Sequence, residues 1–486
     1  MHFLDLTIHE MHLALVAKQV TPKELVLEAL KRAKNNQDQA FEMITETTAL
    51  AQVASLGEPE VDNAFWGIPF VLKDNFSTQG LETTASSNIL KGYIPLFDAK
   101  VYEKLRDAKA ILIGKTTLDE LAMGGSGTTG HLGKTYNPYD PSHERQVGGS
   151  SAGSASSVAA GIAPLGLGSD TGDSVRKPAS YAGLVGFKPT WGLISRYGLF
   201  PFAPSLDHVA FFTRSVLDAA LTQDLLQGHD VHDATSFSGP VKKNAPLLNG
   251  QVQGIKIAII KEVMDAIVDA EIKEQFYVTV SKLKNLGATV EEISIPLTLL
   301  NAIYPTYITI SCCEATSNNA NLDGIKFGPG FPAKTYIEAM TQARTLGFSE
   351  LIKRRFVIGS YALLKENQDV LFVRAQKARR MIVNALQKIY QQFDVIYLPA
   401  SPSVAPKFTD AADRLSSTYL IADSHLALGN FAGLPSITLP IGLKQGFPYG
   451  ANVMSRAYED LTALNVALAI ETMMGLKNLK AERKHL

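Results

Sequence analysis

Cysteine is nearly absent: the 486 residues hold only Cys312 and Cys313, adjacent in the chain. Neighbours in sequence rarely bridge each other, and two thiols supply neither a disulfide framework nor a four-ligand zinc site. Their place in the apolar run Tyr307-Ile-Thr-Ile-Ser-Cys-Cys predicts buried packing in a reducing compartment. Net charge is missing too: Lys and Arg number 46 against 47 Asp and Glu, so no global basic field announces a nucleic-acid partner. Local basic runs at 353–355 and 374–380 read as solvated helix faces. No uncharged apolar run approaches the ~20 residues that span a bilayer. The opening Met1-His-Phe-Leu-Asp-Leu-Thr-Ile-His-Glu carries acids and histidines where a secretory signal needs a basic and then an apolar stretch. The histidines lack metal-ligand spacing. A cytoplasmic protein holding no metal is expected.

What the chain does have is alternation. Thr21-Pro-Lys-Glu is a helix start, with an N-cap threonine, proline at the first helical position and glutamate three residues after the cap. Two helices are expected between Thr7 and Ala54. Short apolar strands are expected at Gly67-Ile-Pro-Phe-Val-Leu-Lys-Asp, Ala108-Lys-Ala-Ile-Leu-Ile-Gly and Pro164-Leu-Gly-Leu-Gly, with a small-residue helix over 151–163. A polar stretch at 230–256 reads as a surface connection. Beyond it come a strand at Ile255-Lys-Ile-Ala-Ile-Ile and a helix over 270–287. Apolar runs at Val395-Ile-Tyr-Leu-Pro and Leu434-Pro-Ser-Ile-Thr-Leu-Pro-Ile then return to the main sheet. The pattern predicts an α/β protein: one domain, 1–486, built on a large mixed sheet covered by helices on both faces. Its parts are N-terminal helices (1–60), a core (61–230), a helical elaboration (250–395) and a return to the sheet (396–486).

The densest chemistry lies in Gly148-Gly-Ser-Ser-Ala-Gly-Ser-Ala-Ser-Ser and Gly168-Ser-Asp-Thr-Gly-Asp-Ser-Val-Arg. Such small residues suit a turn whose backbone N–H groups approach a ligand closely and face negative charge. A phosphate loop fails, because the glycine it needs five residues before Gly114-Lys-Thr is Lys109. A dinucleotide fingerprint fails on spacing. Gly149-Ser-Ser-Ala-Gly satisfies the nucleophile-elbow pattern with Ser151, and His425 or His485 would have to complete a triad. A third reading takes Lys73, at the end of an apolar strand, as a desolvated neutral base for a serine. Taken alone, Lys73 fits a salt bridge to Asp74 or an exposed strand end better than a base.

These segments, continued through Gly186-Phe-Lys-Pro-Thr-Trp-Gly, resemble the amidase signature family. The resemblance implies that fold and a Ser–cis-Ser–Lys triad. Lys73 would be the general base, Ser150 the relay with a cis peptide, and Ser174 the nucleophile. The oxyanion would meet backbone N–H groups of Thr171, Gly172, Asp173 and Ser174. Further segments, among them Asp119-Glu-Leu-Ala-Met-Gly-Gly-Ser, Gly347-Phe-Ser-Glu-Leu-Ile-Lys-Arg-Arg and Asn430-Phe-Ala-Gly-Leu-Pro, are similar to the glutamine-hydrolysing subunits of tRNA-dependent amidotransferases. That likeness implies glutamine as substrate and ammonia passed on for a mischarged tRNA, Glu-tRNA(Gln) or Asp-tRNA(Asn). It also implies the B and C subunits of such enzymes as partners, with no cofactor in this chain and ATP and Mg2+ used by the B partner. The substrate pocket would use Gly124, Gly125, Ser126, Asp423 for the α-ammonium, and Arg354 or Arg355 for the α-carboxylate. A stand-alone amidase and a catalytically weakened scaffold are the other readings.

The chain departs from the family pattern at four places. Asp173 and Ala152 stand where glycine is usual, and Lys177 and His208 where glutamine is common. A carboxylate at 173 is expected to repel the developing oxyanion and lower turnover.

Overall fold

Eleven strands among the described residues build one sheet: β1 (Phe41–Ile44), β2 (Pro69–Lys73), β3 (Ile111–Thr116), β4 (Leu165–Asp170), β5 (Val185–Lys188), β6 (His208–Thr213), β7 (Lys256–Ile260), β8 (Thr289–Ile293), β9 (Val395–Pro399), β10 (Ser436–Lys444) and β11 (Phe447–Ser455). The structure is a computed structural model that describes residues 2–410 and 416–482. Across the sheet the strands run β1-β3-β2-β4-β6-β5-β10-β11-β9-β7-β8. The trios β3-β2-β4 and β9-β7-β8 are each parallel, and the strands between β4 and β9 are antiparallel. The hairpin β10–β11 therefore lies mid-sheet, joining β5 to β9. Every residue of β2 through β6 is buried, as strands covered on both faces require. The expected α/β class with a large mixed sheet is the one observed.

Local signals act as their chemistry dictates. Thr21 Oγ1 accepts from the Glu24 N–H at 3.2 Å while Glu24 Oε2 accepts from the Thr21 N–H at 2.8 Å, starting the helix Pro22–Lys34. The small-residue helix is Ala152–Ala159, laid so close to its neighbours that a Cβ on Gly153 would sit 2.3 Å from the Ala40 carbonyl oxygen. Cys312 and Cys313 are buried in the helix Ile303–Asn318.

Three expectations need correction. The region 1–60 is not purely helical: β1 pairs antiparallel with β3 at the sheet edge, and a third helix, Glu46–Ala54, follows it. Four half-buried residues are too few to reveal an alternating pattern. The region 250–395 supplies, besides the expected strand β7, the edge strand β8, which hides its character behind Glu291 and Glu292. The stretch 230–256 holds only the 3-10 turn Ala245–Leu247 before β7, yet it is not purely superficial. Asp230 and Ser236 are buried, and Asp230 Oδ2 accepts from Ser195 Oγ at 2.6 Å.

Candidate active site

Lys73 ends β2 wholly buried, and its Nζ reaches three hydroxyls: Ser150 Oγ at 2.8 Å, Ser169 Oγ at 2.9 Å and Ser151 Oγ at 3.0 Å. Asp74 is not its partner, because Asp74 Oδ1 pairs with Lys115 Nζ at 2.9 Å. Burial pushes the Lys73 amine down to about 7, against the pull of the Asp119, Asp170 and Asp207 carboxylates. A lysine there is available as the free amine near neutral pH. Ser150 follows a cis Gly149–Ser150 peptide, as the resemblance implied.

A Cβ on Gly149 would lie 2.0 Å from Asp119 Oδ2, so only glycine lets the two segments meet. Asp119 in turn holds the next loop by its backbone. Its Oδ2 accepts from the N–H groups of Ser126 (3.1 Å) and Gly127 (2.9 Å), and its Oδ1 from those of Thr128 (2.9 Å) and Thr129 (3.1 Å). The glycines at 149, 153 and 168 thus serve close approach within the protein rather than approach to a ligand.

Ser174 closes the turn after β4, and its carbonyl accepts from the Ser151 N–H at 3.2 Å. The turn is clamped from below. Arg176 donates to Asp170 through Nε (3.1 Å) and Nη2 (2.9 Å), to the Gly172 carbonyl (2.6 Å) and to Asn430 Oδ1 (2.6 Å). Thr171 Oγ1 donates to Asp207 Oδ1 at 2.6 Å. Among the described residues the N–H groups of Gly172, Asp173 and Ser174 donate to no protein acceptor. A fixed turn with free N–H groups is what a developing oxyanion needs.

A cavity of about 630 Å³ opens against this turn. Of the expected pocket residues, Gly124, Gly125, Ser126, Arg355 and Asp423 line it. Arg354 does not: it is exposed and donates to the Glu350 carbonyl of its own helix. Arg355 stands over the Phe202 ring with its Cζ at 5.4 Å, and its buried Nε and Nη1 have no hydrogen-bond partner among the described residues. Unmet buried donors on a guanidinium suit an incoming carboxylate.

Asp173 and Asp423 are already partnered. Lys177 Nζ lies 2.5 Å from Asp173 Oδ2, 2.9 Å from Asp423 Oδ1 and 2.8 Å from the Asp423 carbonyl. Burial alone would lower the Lys177 amine, but the two carboxylates hold it well above its ordinary value and charged. The carboxylate beside the turn is therefore neutralised locally, and the expected repulsion of an oxyanion loses most of its force.

With His425 the elbow-type triad has no geometry. Ser151 Oγ is bonded to Lys73 and to the Ser169 carbonyl, and the His425 ring lies among the carbonyls of Pro399, Ile421 and Ala422. His485 lies outside the described residues. The basic runs are not plain solvated faces either, since Arg379 is bound to Ser205 and the Phe431 carbonyl.

The family model described as Amidase matches residues 24–464. The chain belongs to the amidase family. It is 39% identical over 476 residues to a Latilactobacillus sakei protein named as the A subunit of glutamyl-tRNA(Gln) amidotransferase, covering 97% of this chain and 96% of that one. A protein of the same name from Thermoanaerobacter pseudethanolicus is also 39% identical, over 97% of both chains. Among solved structures, the glutamyl-tRNA(Gln) amidotransferase A subunit from Thermotoga maritima superposes with a TM-score of 0.78 at 35% identity, over 97% of this chain and 95% of that one. A peptide amidase bound to chymostatin gives 0.82 at 26%, over 99% of both.

Several residues of this amidase site escaped the sequence reading: Ser169 as a third hydroxyl on Lys73, Asp119 as the loop anchor, and the Asp170–Arg176–Asn430 clamp. One signal was readable. Asp173 and Lys177 stand four apart, the spacing at which an acid and a lysine meet on a helix.

Proposed function

We propose that this chain is the glutamine-hydrolysing subunit of a tRNA-dependent amidotransferase. The supporting observation is a fully buried Lys73, its amine near pH 7, in contact with Ser150 beside the Ser174 turn, in a chain so similar to proteins bearing that enzyme's name. In this reading neutral Lys73 takes the Ser150 proton as Ser150 takes that of Ser174, and Ser174 Oγ attacks the side-chain amide carbon. The N–H groups of Thr171, Gly172, Asp173 and Ser174 receive the oxyanion. Collapse breaks the C–N bond, and the proton returning through Ser150 leaves with ammonia. Water then cleaves the acyl-enzyme to glutamate. Arg355 takes the substrate carboxylate, and Asp423, on the same cavity, takes its ammonium.

Ammonia passes to the B partner of an assembly that also holds the C partner, and there Glu-tRNA(Gln), Asp-tRNA(Asn) or both are amidated with ATP and Mg2+. No helix among the described residues is long and apolar enough to cross a membrane. The test is ammonia release from glutamine by the chain, alone and with the proteins that co-purify with it, beside Ser174→Ala. A covalent adduct on Ser174 seen by mass spectrometry would support the reading. Absence of both ammonia and adduct in the complete assembly would sink it.

A further inference from the structure

The cavity contains a cation that belongs to the protein. Lys177 Nζ makes three short contacts, to Asp173 Oδ2, Asp423 Oδ1 and the Asp423 carbonyl, which uses all three of its protons. Its side chain is nearly buried, whereas that of Asp423 is about a third exposed (35%) toward the cavity that both line. Arg355, on the same cavity, keeps two buried donors unmet among the described residues. The site thus offers an open place for an anion, while Oδ1 of the acid that a cation would seek is already taken by the protein's own ammonium.

We propose that Lys177 is a specificity-determining residue whose ammonium occupies the position on Asp423 that a substrate ammonium would take, so that the site favours ω-amides bearing a carboxylate but no α-ammonium over glutamine. The inference rests on the hydrolase reading for its choice of substrates. The physical reason is local. An ammonium arriving at Asp423 must either displace Lys177, leaving Asp173 uncompensated, or sit within a few ångströms of a like charge in a poorly solvated pocket. A ligand such as glutaramate, which is glutamine without its α-amino group, meets Arg355 and incurs neither cost. Glutamine remains a substrate, bound against a competitor built into the chain.

The test measures binding by titration calorimetry in the full-length chain carrying Ser174→Ala, so that neither amide is consumed. Glutaramate is expected to bind at least about tenfold more tightly than glutamine, the difference one such charge contact makes. Adding Asp173→Gly with Lys177→Gln removes both charges together, avoids stranding Asp173 and frees Asp423; the preference should then fall by about tenfold or reverse. An unchanged ratio, or no binding of either ligand, overturns the proposal. Failure of the hydrolase reading shows separately, as no ammonia from either amide when Ser174 is intact, whatever the order of binding.

Discussion

Arg176 and Asp170 face each other through two nearly parallel hydrogen bonds, Nε to Oδ2 at 3.1 Å and Nη2 to Oδ1 at 2.9 Å, with neither side chain exposed. Burial alone would raise the Asp170 pKa, but the guanidinium beside it holds the carboxyl well below the usual carboxylate range. The pair is also a mechanical part. The same Nη2 that binds Asp170 grips the Gly172 carbonyl and Asn430, so one planar group ties the Ser174 turn to a distant part of the chain.

Replacing that group should be severe. Arg176→Ala leaves a buried carboxylate without its partner and is expected to cost about 3–5 kcal/mol of stability. Arg176→Lys keeps the charge but loses the fork geometry, so it should restore part of the stability and little of the turnover. Thermal unfolding and ammonia release measured on both variants check this; full activity in the lysine variant would refute the clamp.

Lys73 sets a pH dependence. Its folded-state pKa of about 7 lies below the unfolded 10.5, so the unfolded chain binds more protons between those values. This residue therefore costs stability below pH 7, and the cost fades as pH rises toward 10.5. Amide turnover should rise through about pH 7 as the amine loses its proton. Lys73→Met should lower turnover at least about a hundredfold and flatten that part of the stability curve. A parent pH–rate profile without a rise near 7 would remove Lys73 from the base role.

Asp173 and Lys177 act together. Because the lysine neutralises the carboxylate, Asp173→Gly should leave turnover of an uncharged amide such as butyramide within about threefold of the parent. Lys177→Met alone exposes the turn to an unpaired carboxylate and should cost about tenfold or more. Adding Asp173→Gly to Lys177→Met should recover most of the loss. Steady-state rates for the four proteins form the cycle, and additive effects would disprove the coupling.

Asp119 should matter for binding as well as for folding. Asp119→Ala frees four backbone N–H groups of the loop that includes Ser126, and is expected to cost about 2–4 kcal/mol. Because Gly124, Gly125 and Ser126 line the cavity, KM for the amide should rise more than the stability loss alone would explain. Hydrogen exchange across residues 124–130 would report the loosening directly.

The class of fold was legible because most of the parallel strands are short, apolar and alternate with helices, and Lys73, Ser150 and Ser174 stood inside long motifs. Other features were hidden for physical reasons. β11 carries Pro448 and Gly450, residues that argue against a strand, and its pairing with β9 depends on residues far away in the chain. The clamp joins Asp170, Arg176 and Asn430 across about half the chain, beyond the reach of any local pattern. At the substrate pocket the residue types suggested Arg354 or Arg355 and could not separate them. Helix geometry leaves Arg354 exposed and brings Arg355 to the cavity.

The mid-sheet place of β10 and β11 has a consequence for the newborn protein. A ribosome delivers Lys73, Ser150 and Ser174 long before the hairpin that joins β5 to β9, and before Asn430 can complete the grip on Gly172. Until those late residues arrive, the emerging polypeptide holds all three on the half-sheet β1 to β6, to which β9-β7-β8 is not yet joined. Amide cleavage is thereby deferred to the finished molecule, and exposed strand edges on the halves are the hazard of that delay.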